Sequence, residues 1–162
     1  MGIINRKEIF KVEDSTLTFE KLIGDASQEI ALSLQDKSVV ILPSHGHDDA
    51  YYAGTLDTFD YLSENGIDTG IYSTDDEYKE LGLHGADIWL GTFFVKDYVI
   101  PIFCSIVAAY VYDKIKAKKG DNISLEFIAE KKDGKAVSVQ YDGDVEGLGK
   151  VLDTIKSIND GD

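Results

Sequence analysis

The sequence predicts an α/β fold in a single domain over residues 1–162. A short parallel βαβ core is expected within residues 1–91, and a long central apolar helix, a β-hairpin and a closing helix within residues 92–162. Three observations carry this expectation. Two short aliphatic runs, residues 38–42 and 67–72, flank a segment of helical periodicity, the order of a right-handed parallel crossover. Residues 98–112 contain no charged side chain. Ile123, Leu125 and Phe127 alternate with polar residues, Val137, Val139 and Tyr141 do the same, and Asp133-Gly134 stands between them as a hairpin turn.

In chain order, residues 8–12 and 16–19 read as extended stretches and residues 27–34 as a helix. Residues 38–42 are apolar at nearly every position and end at Pro43, as in a strand buried on both faces. Residues 49–65 set Tyr52, Leu56, Phe59 and Leu62 at helical spacing, with Asn65-Gly66 as a left-handed stop. The second strand of the crossover follows at residues 67–72. A polar stretch, residues 74–80, leads into residues 81–91, where Gly82, Gly85 and Gly91 bracket Trp89 and mark tight turns. Residues 93–118 are apolar on nearly all sides through Tyr112 and then basic at Lys114, Lys116, Lys118 and Lys119. Pro101 is tolerated only near a helix start, so the regular helix should begin near Ile100, and Gly120 should terminate it. After the hairpin, Asp144 is placed to cap a helix whose Leu148, Val151, Leu152, Ile155 and Ile158 form one stripe.

With 162 residues the chain is long enough for a core of its own, and one cysteine excludes an intrachain disulfide framework. Cys104 lies in the apolar run and reads as a small buried hydrophobe rather than a nucleophile. The first 14 residues mix Arg6, Lys7 and Lys11 with Glu8, Glu13 and Asp14 and hold no apolar core of signal-peptide length, so cytoplasmic residence is expected. The run 98–112 is shorter than the roughly 20 residues that span a bilayer and is expected as a buried helix rather than a membrane span.

The net charge of −14 argues against nucleic acid, whose binding draws on Lys and Arg. The charge has a focus, because residues 51–96 carry nine carboxylates against Lys79 and Lys96. A solvated acidic surface explains such a run; a face for a basic partner explains it more specifically. Asp57, Asp60, Glu64, Asp76, Glu77 and Glu80, with Trp89 beside a turn, are the candidate partner-binding residues.

The segment Ser44-His45-Gly46-His47-Asp48-Asp49 holds imidazole and carboxylate groups of the kind zinc and iron prefer. It resembles the His-x-His-x-Asp-His motif of metallo-β-lactamase-fold hydrolases, with His45, His47 and Asp49 at the first three ligand positions. Ala50 stands where the last histidine belongs, and the chain lacks the length and further ligands of that fold. No catalytic residue is assigned and no cofactor is expected, with a divalent metal at His45, His47 and Asp49 as the alternative. In open α/β sheets ligands bind beyond the carboxyl ends of the strands. That places Ser44, His45, His47, Asp48, Asp49 and Tyr51 beside Ser73 and Asp75 as candidate ligand-binding residues.

From Leu81 onward the order of features resembles the effector-associated constant component family of prokaryotic conflict and antiviral systems. The matching pieces are the turn Leu83-His84-Gly85-Ala86-Asp87-Ile88-Trp89-Leu90-Gly91, the apolar helix at 99–119 with its basic end, the hairpin at 123–141 around Lys132-Asp133-Gly134-Lys135, and the helix at 145–158. The resemblance implies a non-enzymatic accessory, an adaptor or sensor that links a sensor to a toxic effector encoded nearby. Two alternatives stand beside it. One is a small metal-dependent hydrolase or ligand-binding enzyme built on the His45 loop, and the other a homo-oligomer cored by residues 98–112.

Overall fold

The structure, a computed structural model, describes residues 8–43, 50–52, 54–74, 77–81 and 88–159. Along the chain these form β1 (Ile9–Ser15), α1 (Phe19–Gly24), α2 (Gln28–Leu34), β2 (Val39–Leu42), β3 (Ala50–Tyr52), α3 (Thr55–Glu64) and β4 (Thr69–Ile71). They continue as β5 (Lys79–Leu81), β6 (Ile88–Lys96), α4 (Ile100–Ala109), β7 (Asn122–Glu130), β8 (Ala136–Asp144) and α5 (Leu148–Lys156). The fold is mixed α/β. A six-stranded sheet runs in the order β1-β8-β7-β6-β2-β4, and β3 and β5 form a separate two-stranded ribbon.

Alternation along the inner strands explains why two layers of helix are needed. Val39 and Ile41 of β2, with Phe93 and Val95 of β6, join the core under α3, α4 and α5, where Leu62, Phe103, Val107, Val151 and Ile155 are buried. Val40, Leu42 and Phe94 point the other way and are covered by Leu22 of α1 and by Ile30 and Leu34 of α2. A strand apolar at successive positions is thus satisfied by helices on both faces. The β2–α3–β4 unit is parallel, with Val39 opposite Thr69 and Ile41 opposite Ile71, and Gly66 at φ 90° closes α3. At the other end β7 and β8 pair antiparallel, with Glu130 opposite Ala136 and Gly134 at φ 85° in the connection. Asp144 accepts from Glu146 N at 2.8 Å and caps a 3-10 turn that leads into α5, whose Leu148, Val151, Leu152 and Ile155 are all buried.

Several sequence expectations are corrected. Residues 88–91, expected as the end of a glycine-marked turn, and 93–96, expected as the apolar lead before the helix, instead lie in β6, a nine-residue strand between β2 and β7. Its apolar run is interrupted only by Lys96-Asp97 before α4 takes it up again, so two charged residues are the sole local mark of the boundary. The second extended stretch, residues 16–19, is instead the lead-in to α1, with the Thr18 hydroxyl accepting from Lys21 N. α3 starts at Thr55 rather than residue 49, because Gly54 at φ 95° separates it from β3. Tyr52 is accordingly a strand residue, Leu56 is 47% exposed, and the buried positions of α3 are Thr55, Thr58 and Leu62. Regular α4 starts at Ile100 with Pro101 in its first turn, passes into a π-helical turn (Tyr110–Lys114), and is over before Gly120, since Lys116 is left-handed at φ 61°. The run 98–112 is not buried all round: Tyr98 before α4, Ile102 within it and Tyr112 in the π turn face solvent. Among the described residues no helix is long and apolar enough to cross a membrane.

Candidate functional site

Two places collect the residues singled out by the sequence. The first is the carboxyl end of the parallel pair β2 and β4, where Tyr72 N donates to Ile41 O at 2.9 Å. Further along the chain β3 and β5 pair in parallel again, Tyr51 opposite Glu80. Ser44, His45, His47, Asp48 and Asp49 lie outside the described residues, as do Asp75 and Asp76, so the proposed metal ligands fall there too. Among the described residues no group of three His, Cys, Asp or Glu side chains could hold a metal ion.

The described part of this end is dominated by tyrosine. Tyr51 is 1% exposed, donates its hydroxyl to Tyr72 O at 2.6 Å and stacks on Tyr78 with ring centroids 5.1 Å apart. Tyr78 in turn donates to Glu80 Oε2 at 2.9 Å. Burial drives the Tyr51 phenol well above its ordinary range, and its neighbours Tyr78 and Tyr72 add to the shift. Burial and Glu80 do the same to Tyr78. Both phenols are locked in the protonated form at neutral pH, which suits hydrogen bonding and disfavours nucleophilic or base chemistry. Beside them Leu56, Ile71, Ser73, Thr74 and Tyr78 line a cavity of about 240 Å³. Its hydroxyls serve the turn: Ser73 donates to Thr74 O at 2.9 Å, and Thr74 Oγ1 accepts from Glu77 N at 3.2 Å.

The second place is a groove of about 590 Å³ between α3 and the π turn after α4. Asp57, Asp60, Tyr61 and Glu64 fall on one face of α3 at the i, i+3, i+4, i+7 spacing, and Tyr110, Lys114 and Ile115 form the opposite wall. The Tyr61 and Tyr110 rings meet at 4.9 Å between centroids and form its floor. The three carboxylates are exposed, whereas Tyr110 is 8% exposed. Its phenol is held above the ordinary range first by burial and then by Asp57, against a hydrogen bond with Thr58 that acts the other way. Carboxylates beside aromatic rings are a chemistry that organic cations favour, and the groove's own Lys114 stands on the wall opposite the three acids.

Of the seven partner-binding candidates, the groove unites Asp57, Asp60 and Glu64. Glu77 and Glu80 are exposed at the β3–β5 end, and Trp89 lies on the inner strand β6, next to a break in register between Trp89 and Gly91. Sequence reasoning missed Tyr61 and Tyr110. The helical spacing of Tyr61 with its three acidic neighbours was a usable signal, but Tyr110 reaches the groove through tertiary packing. Cys104 is fully buried, and burial pushes its thiol up to about 12, which leaves it unreactive. Comparison with protein-family models, curated proteins and solved structures found no match.

Proposed function

We propose that the chain is a non-enzymatic accessory, an adaptor or sensor component of a bacterial antiviral defence or signalling system in the cytoplasm, which acts by docking a basic partner protein. The observation that carries this reading is the groove, where three carboxylates of α3 flank two packed tyrosine rings. An Arg or Lys side chain from an effector or sensor fits that chemistry, since its stem can cover the rings while its charge meets the acids. The defence setting rests on the order of features after Leu81. The test is recovery of partners from the native host by tagged wild type and by Asp57→Asn/Asp60→Asn/Glu64→Gln, at graded salt. A basic protein held by wild type at low salt and lost by the variant is expected. Equal retention by both, or no basic protein at any salt, removes the reading.

A second reading, a small ligand-binding or metal-dependent hydrolytic protein, is favoured by the cavity at Leu56, Ile71, Ser73, Thr74 and Tyr78, which lies where α/β sheets bind ligands. Metal analysis of purified wild type and His47→Ala decides its metal-dependent form. Stoichiometric metal lost in the variant supports it, and metal-free wild type removes it.

A further inference from the structure

β1 ends the six-stranded sheet and pairs on its inner side with β8; among the described residues nothing pairs with its outer side. Such an edge presents unpaired N–H and C=O groups at alternate positions along seven residues, Ile9–Ser15, a template for another strand. Lys11, Val12, Glu13 and Asp14 are all exposed, Val12 at 53% although it is apolar and β-branched. Charges on an edge normally discourage indiscriminate pairing, so the question is which strand this particular set of charges accepts.

We propose that β1 pairs antiparallel with β1 of a second copy of this chain, about a two-fold axis through Val12, joining the two sheets edge to edge. An axis normal to the sheet keeps every side chain on its own face, so the axis must pass through a residue rather than between two. An axis at Lys11 sets the two Lys11 side chains against each other, and an axis at Glu13 does the same for the two Glu13 side chains. An axis at Val12 sets Lys11 opposite Glu13 of the second copy, and does so twice. It also covers Val12 with its own symmetry mate. Because Val12 is the middle of Ile9–Ser15, this register alone gives every residue of β1 an opposite number, with Phe10 facing Asp14 and Ile9 facing Ser15. The longest register and the charge-matched register coincide. The charges that blunt the edge toward other strands thus select one partner, its own copy, at a surface separate from the groove.

The test is light scattering on the full chain over a dilution series. Wild type is expected to rise from 17.9 kDa toward twice that mass as concentration increases. Lys11→Glu and Glu13→Lys each convert both cross-axis pairs into like-charge pairs and should weaken self-association by about tenfold or more. The double variant Lys11→Glu/Glu13→Lys restores both pairs and with them the dimer, and an equimolar mixture of the two single variants forms the mixed dimer. A wild type that stays monomeric at every concentration overturns the proposal. So does a dimer unaffected by either single change, or a double variant no more associated than the singles.

Discussion

Tyr141 shows how much one side chain can fix in this chain. It is 1% exposed, meets the Phe10 ring edge-on at 5.8 Å, and donates its hydroxyl to Asp144 O at 2.7 Å, tying the end of β8 to the turn before α5. Burial and the carboxylates of Glu8, Asp144 and Asp142 push its phenol up to about 12. Gly147 lies against that ring with φ −79° and ψ −8°, angles any residue adopts. Its lack of a side chain therefore reflects space: a Cβ there would run into the Tyr141 hydroxyl. Gly147→Ala should lower stability by about 1–3 kcal/mol through overpacking, although alanine is the better helix former. Tyr141→Phe should cost about 1 kcal/mol for the lost hydrogen bond. The two together should cost less than their sum, because removing the hydroxyl vacates part of the space. Thermal or urea unfolding of the four proteins measures this, and a neutral Gly147→Ala would show that the ring moves aside freely.

At the scale of elements, legibility followed the strength of local pattern. α5 was readable because Leu148, Val151, Leu152 and Ile155 repeat at helical spacing and all four are buried. β2 was readable because four apolar residues end at a proline and both faces find a helix layer. β6 was not, because the chain passes from the strand through a 3-10 turn at Asp97–Val99 into α4 while staying largely apolar, and periodicity cannot separate a doubly buried strand from a buried helix. β3 and β5 are three residues each, too short to show a period, and they exist through their mutual pairing. α1 has six residues and a cap at Thr18, a signal easily read as an extended threonine-rich stretch. For the groove, the acid face of α3 could be read from residues 57–64, whereas its aromatic floor needs Tyr110 from an element 46 positions after Glu64, a contact made by packing on the sheet.

For the whole molecule, the charge of −14 has acquired a geography. Three of the carboxylates in the most acidic third of the chain share one groove with two tyrosines and Lys114, while the helix layer that builds the groove is anchored on the apolar face of the sheet. Exposed charge pairs contribute little to stability, and those described here, Lys119 with Glu146 and Lys156 with Asp153, are 3.9 Å contacts at the surface. In the proposed function the acidic side chains of α3 serve recognition of a basic partner rather than the stability of the fold. NMR mapping of a short Arg-rich peptide titrated into the full chain tests this role most directly. Salt-sensitive amide shifts concentrated at residues 57–64 and 110–115 are expected. Shifts centred on residues 71–80 instead, or none at low salt, would contradict that role.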